Sequence, residues 1–407
     1  MQMTERQQIG RQVQIGQAIE ALWSGEALRD PYPNYARLHS LGSVLPAPDG
    51  SPHVFVTSHA GVSAVLRSGA ALSGMLMNNP DAPVTDASAL MRPMMLFHNG
   101  ASHARLRGLM AAAFTPRVVE EQRALVKSLL DELLRPGEQD LVASLAVLLP
   151  ARVIMRMLGL SGDDETRFLG WSNSVAELIG GANLSPELMA RIDQDAREMR
   201  GYFQGLADEL RAHPQPGLLS ALASVEDAGE RLSSDELLSN AVLLLAAGHE
   251  TTSNLIAGGV LALSKQPDAW AALVEAPRQA GVADELLRHV SPVQLDGRTL
   301  GAPLELDGQT VAAGQHVHVL LAAANRDPQV FTDPERLDFA RPNASRHLAF
   351  AAGPHYCLGA SLARLEASET FAALAERFPH LTVTDQTPPF RPNFVLRGPA
   401  QLNVDLR

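Results

Sequence analysis

The 407-residue chain is 46% hydrophobic but only 5% aromatic, so Leu, Ala and Val must fill most of a large core. Its formal net charge of -12 and the lack of any basic block exclude nucleic acid and an anionic membrane surface as expected partners. A single cysteine excludes a disulfide framework and a cysteine-rich zinc site.

The N-terminal stretch Met1–Ala21 is polar and rich in Gln, with no signal-peptide core, and the longest apolar run, Ala241–Ala247, is too short to span a bilayer. A cytoplasmic protein without a membrane anchor is expected. Dense Pro and Gly from Pro31 to Pro52 lead into His53-Val54-Phe55-Val56-Thr57, which reads as a strand by alternation and β-branching. Helical periods then cover Arg117–Leu134, Leu141–Leu158, Pro186–Ala212 and Ser234–Leu263. The Pro-rich turn from Ala212 to Gly217 reads as an interhelix loop. A second Pro/Gly-dense region, Gly297–Pro342, carries the strand pattern His316-Val317-His318-Val319-Leu320, and Pro379–Arg407 returns to strand character. With no repeat or linker, residues 1–407 read as one mainly α domain with small β-sheets near both chain ends, an α+β class.

Four segments carry chemistry. Ser102-His103-Ala104-Arg105-Leu106-Arg107 places His103 and Arg107 one turn apart, as anion ligands or as solvated surface cations. Ser233 and Glu236 form a capping-box pair that starts the longest helix, whose middle reads Ala246-Ala247-Gly248-His249-Glu250-Thr251-Thr252. A carboxylate and hydroxyls between apolar stretches suggest ligand room beside Gly248 and a proton path; the plainer reading lets Thr bond back to the helix while Glu250 faces solvent. Glu285-Leu286-Leu287-Arg288 sets opposite charges at i and i+3. Cys357, in Phe350-Ala351-Ala352-Gly353-Pro354-His355-Tyr356-Cys357-Leu358-Gly359, suits one axial thiolate on haem iron, or else a free cysteine packed as a small hydrophobe.

Phe-x-x-Gly-x-His-x-Cys-x-Gly, followed by Ala-x-x-Leu-Ala-Arg-x-Glu over Ala360–Glu366, resembles the haem-binding segment of the cytochrome P-450 superfamily. The other motifs follow in that family's order, Asn325-Arg326-Asp327-Pro328 among them as a structural turn. Two departures stand out: Ala351 replaces the usual Gly after the Phe, and Asn99-Gly100 replaces an Asp-Pro, which predicts a looser turn. The resemblance implies a P-450 fold with haem b between the long distal helix and the Cys loop, and Cys357 as the iron ligand. Gly359 belongs to the cofactor site, and His103, Arg107, Arg298 and His355 meet the propionates. Glu250 relays protons and Thr251 assists oxygen activation. Glu285 and Arg288, closed by Arg341 with Arg336 as second candidate, hold the Cys loop.

For the substrate pocket the resemblance implies Met94, Leu243, Ala246, Ala247, Gln294, Leu295, Phe394 and Val395, with Met75, Met77, Met91 and Met95 in the roofing segment. The implied reaction is insertion of one oxygen atom from O2 into an apolar small molecule, by hydroxylation or epoxidation in secondary metabolism. Electrons come from a ferredoxin or flavodoxin with its reductase, docked near Arg105, Arg346 and Arg364. A peroxide-driven peroxygenase, a haem sensor or carrier, and a degenerate interaction scaffold are the alternatives; the Glu250-Thr251 pair and Cys357 count against them.

Overall fold

The computed structural model describes residues 5–407 except 76–80, 82, 112–113, 181–184, 216 and 225–231. Met77 therefore lies outside the described residues.

The molecule is organised around one helix, Ser234–Ser264, 31 residues long. Its start is fixed locally: Glu236 N–H donates to Ser233 Oγ at 3.1 Å, and Ser233 N–H donates to the Glu236 carboxylate at 2.9 Å. Apolar residues occur on all its faces, the pattern of a helix enclosed by others. It packs against the helices Leu148–Leu158, Glu165–Gly180, Pro186–Ala212 and Ala360–Arg377. Its first half shares a core with Phe168, Trp171 and Phe203; its second half shares one with Leu286, Phe371 and Leu374. Gly259 permits the second contact, because a Cβ there would run into the Phe371 ring.

The period over Pro186–Ala212 is one helix, capped by Ser185. The other two periods are interrupted. Arg117–Leu134 divides at Gln122 into Pro116–Glu121 and Arg123–Leu133. Leu141–Leu158 begins with a π-helical turn, Val142–Ala146, before the α-helix Leu148–Leu158. Pro150 explains the wider turn: it cannot donate to the Ala146 carbonyl, and its ring crowds that oxygen.

Both expected strands belong to one five-stranded sheet, in spatial order Val44–Pro46, His53–Val56, His316–Val319, Asp296–Leu300 and Ala71–Leu72. The His53–Val56 and His316–Val319 pair is parallel and the other pairings are antiparallel. Val54, Val56, Val317 and Val319 point to one buried face, and Arg298 pairs opposite Val317. The C-terminal strands Thr382–Val383 and Asn403–Leu406 join Gly137–Asp140 in a three-stranded sheet. Among the described residues no helix is long and apolar enough to cross a membrane.

Candidate active site

The Cys loop runs from Phe350 into the helix Ala360–Arg377. Cys357 N–H donates to the Phe350 carbonyl at 2.9 Å, closing the loop on itself. Ala351 adopts φ +57°, a left-handed conformation in which glycine is ordinarily used. Gly353, at φ +70°, has no alternative, because a Cβ there would overlap the Leu66 backbone. Cys357 is exposed by surface area, yet burial pushes its thiol pKa up, partly offset by the Gly359 amide and by Arg107. The two facts agree for a side chain on the wall of an interior cleft. A Cβ on Gly359 would meet nothing within 4 Å, so the backbone beside the sulfur is open.

The long helix presents the opposite kind of surface. It is buried along most of its length, but Ala247 is exposed and Thr251, one turn later, is half-exposed. Thr251 Oγ1 donates to the Ala247 carbonyl at 2.9 Å. The glycine gap faces elsewhere: a Cβ on Gly248 would sit 3.4 Å from Ile154, so that residue serves helix packing and supplies no ligand room. Glu250 does not face solvent. It is 4% exposed, ion-paired with Arg391 and 3.4 Å from Asn254 Nδ2.

Basic groups gather near the Cys loop. The His103 and His355 rings lie 4.0 Å apart between centroids. Burial, then His103 and Arg298, depress His355 to about 4, and burial and Arg107 depress His103. Arg298 is buried and donates to Asp296 at 2.7 Å. His103, Arg107, Arg298 and His355 therefore act on one another electrostatically, with Asp296 as the nearby acid.

A family model described as Cytochrome P450 matches residues 279–405. The chain is 39% identical to the cytochrome P450 monooxygenase PikC of Streptomyces venezuelae over 392 residues, covering 93% of this chain and 91% of that protein. The chain belongs to the cytochrome P450 family. It is also 34% identical to the biotin biosynthesis cytochrome P450 of Bacillus subtilis, over 94% of this chain and 97% of that one. Its fold matches P450BioI in complex with hexadec-9Z-enoic acid ligated acyl carrier protein at TM-score 0.88 and 32% identity, covering 94% and 99% of the two chains. It is thus an oxidoreductase of the P450 monooxygenase class that uses haem with an axial thiolate.

The residues of this P450 fit that group. Its one cysteine opens on the cleft, and the Arg107 and Arg298 guanidiniums with the His103 and His355 imidazoles offer charge and donors to two carboxylates. The Cys loop rests on a buried charge cluster. Arg288 Nε and Nη2 each donate to Glu285 at 2.8 Å, both side chains being fully buried. Arg341, not Arg336, closes the pair, with Nε 3.1 Å from Glu285 Oε1; Arg336 contributes only its carbonyl, which accepts from Arg288 and Arg341. Next to it, burial would raise Asp284, but bonds from His347 and Arg364 hold it down at about 2. Arg364 also lies over the Phe350 ring at 4.7 Å.

Several expectations need correction. Gln294 does not line the cleft: it is fully buried, accepts from Tyr35 Oη at 2.8 Å and donates to the Ser291 carbonyl at 2.5 Å. An amide bonded at both ends inside the core has no face left for substrate. Leu295 and Phe394 pack with Leu22, Tyr35 and Leu38, Phe394 edge-on to Trp23 at 5.4 Å, and Val395 lies against the same cluster. Met91, Met94 and Met95 are buried against the long helix, where Asn240 accepts from Met95 N–H at 2.9 Å; Met75 is exposed. Leu243 and Ala246 are buried beside that segment. Asn99 makes a firm turn, its amide bonding both Ser73 N–H (2.9 Å) and the Ser73 carbonyl (2.8 Å). Of the three docking arginines, Arg105 is ion-paired with Glu236 and Arg364 with Asp284, leaving Arg346 as the exposed one. Sequence reasoning missed Arg391 and Asn254, since nothing local marks either as a partner of Glu250.

Proposed function

We propose that this P450 inserts one oxygen atom from O2 into an apolar small molecule of secondary metabolism, by hydroxylation or epoxidation. Residues 1–407 act as one cytoplasmic domain, supplied with single electrons by a separate ferredoxin or flavodoxin and its reductase. The observation that carries this reading is the exposed Ala247–Thr251 stripe on an otherwise buried helix, in a fold whose one cysteine opens on a cleft.

Haem, when bound, supplies the oxygen activation and one-electron chemistry that side chains lack. Cys357 Sγ would hold the iron, with the Gly359 amide tempering the thiolate and Gly359 leaving room for the flat ring. His103, Arg107, Arg298 and His355 hold the propionates. Thr251 keeps its hydroxyl at the open stripe, where its bond to the Ala247 carbonyl could be given up to donate a hydrogen bond into the site. Glu250 relays protons from solvent to that point through ordered water. Of the apolar residues on that helix, the exposed Ala247 faces the substrate, and Leu243, Ala246 and Met94 are packed behind it. The hexadec-9Z-enoic chain carried in the P450BioI complex supports a long apolar substrate. The electron donor meets the face that carries Arg346, because the arginines at 105 and 364 are engaged internally.

The test is Thr251→Ala. Haem content and substrate-induced spectral shifts should persist, while electrons from NAD(P)H leak to peroxide. Product formation as tightly coupled as in the wild type would overturn the role given to Thr251.

A further inference from the structure

Within one turn of the long helix, three buried polar atoms have no hydrogen-bond partner among the described residues: His249 Nε2, Glu250 Oε2 and Ser253 Oγ. Residues three and four apart on a helix are neighbours, so Ser253 lies beside both Glu250 and His249. All three residues are at most 4% exposed. Their other polar atoms are engaged. Glu250 Oε1 accepts from Arg391 and Asn254, and His249 Nδ1 meets Ser172 Oγ at 2.9 Å. Burial depresses His249 to about 4, so the imidazole is neutral and does not compete with Arg391 for the carboxylate.

Arg391 is the link outward. It is 22% exposed at the side chain while its partner Glu250 is nearly sealed. Its segment is fastened to the helix: Arg391 N–H donates to the Gly398 carbonyl at 3.1 Å, and Asn254 Nδ2 donates to the Leu396 carbonyl at 3.3 Å. Gly398 is required there, because a Cβ would overlap Asn254. The carboxylate thus has one oxygen paired with a partly exposed arginine and one buried without a hydrogen-bond partner among the described residues, on a helix where Ser253 is three residues away. Buried polar groups left in this condition are ordinarily satisfied by internal water making about three hydrogen bonds.

We propose that Arg391 and Ser253 are positioning residues for Glu250: Arg391 fixes Oε1 at the surface side, and Ser253 Oγ with Glu250 Oε2 holds an internal water through which protons pass. This rests on Glu250 as the proton carrier. A high-resolution crystal structure of the haem-loaded protein should show ordered water within hydrogen-bonding distance of both Ser253 Oγ and Glu250 Oε2. A dry, apolar-filled contact there overturns the proposal.

The functional arm uses haem-loaded protein with plant ferredoxin and its reductase as surrogate donors. It reads substrate-free oxygen uptake in H2O and D2O. Glu250→Gln should slow uptake about 10²-fold with an enlarged solvent isotope effect. Ser253→Ala and Arg391→Gln should each slow it about tenfold, the kinetic equivalent of one lost hydrogen bond, and enlarge the isotope effect. Arg391→Lys should recover part of the loss, which a purely structural arginine would not predict. If Glu250→Gln responds but Ser253→Ala and Arg391→Gln keep the wild-type isotope effect, the positioning roles fall. If Glu250→Gln itself leaves rate and isotope effect unchanged, the underlying reading of Glu250 falls instead.

Discussion

The two sides of the cleft bury charge in opposite ways. Beneath the Cys loop, both Glu285 oxygens accept from Arg288 and Arg341, and Glu285 Oε1 also accepts from Asp338 N–H at 2.9 Å. Arg288 and Arg341 further donate to the carbonyls of Asn325, Thr332, Pro334 and Arg336. On the long helix, Glu250 has one oxygen paired and one without a partner, beside a serine in the same condition. A saturated buried ion cluster has one favourable arrangement and fixes geometry, whereas an under-satisfied one keeps polar capacity for a visitor. Burial and charge alone do not separate these two carboxylates, Glu285 and Glu250; the count of hydrogen bonds does, although Glu366 Oε2 on the Cys-loop side also lacks a partner among the described residues.

The contrast can be broken experimentally, starting with its largest consequence. Cys357→Ser should abolish the thiolate-type red-shifted band in the carbon monoxide difference spectrum of the reduced protein; its persistence would remove Cys357 from the iron. Glu285→Gln or Arg341→Ala should lower unfolding free energy by about 3–5 kcal/mol, because the remaining buried charge loses its partner. Denaturant titration together with haem content checks this, and a loss no larger than that of a surface ion pair would refute the saturated-cluster account.

Acid should weaken the same region in two stages. Burial holds His289 well below 6.5 and His347 below it, so the unfolded chain binds protons that the folded chain does not. Their contribution is present above about 6.5 and is lost as pH falls below it. Asp284 follows, its stabilisation shrinking as pH drops from 3.8 toward about 2. Denaturation midpoints measured against pH should fall from 6.5 downward, and His289→Asn should flatten the first stage. An unchanged slope in that variant would locate the effect elsewhere.

Two smaller effects sharpen the comparison. Ala351→Gly should stabilise the protein by about 1 kcal/mol, since the left-handed backbone penalises a Cβ. A destabilisation would mean that the methyl group packs better than the strain harms. Thr251→Ala, on the open stripe, should change stability by about 0.5 kcal/mol or less. Thermal melts of the two variants together distinguish a strained loop from an unstrained functional hydroxyl.

Much of the site was legible because it is written locally. Glu285 and Arg288 are three residues apart on one helix, Ala247 and Thr251 four apart, and the Cys loop is one short segment. The failures share a cause. Gln294 and Phe394 were expected at the cleft, yet Tyr35 of an N-terminal helix and Trp23 of an N-terminal turn pack against them. Arg105 and Arg364 look like free surface cations until the fold brings Glu236 and Asp284 against them.

By itself the sequence determined the frame: a capped, long apolar helix from Ser234, strands by alternation starting at His53 and His316, and one thiol in a turn-rich loop. Those features arise from hydrogen bonds and side-chain periods that close within a few residues. Only the tertiary structure decided which polar groups meet. His103 and His355 lie 252 positions apart, and Arg391 reaches Glu250 across 141 residues. Such pairings depend on how separate elements pack, and packing is set by the whole apolar core. No local pattern encodes which oxygen of a carboxylate is left without a partner.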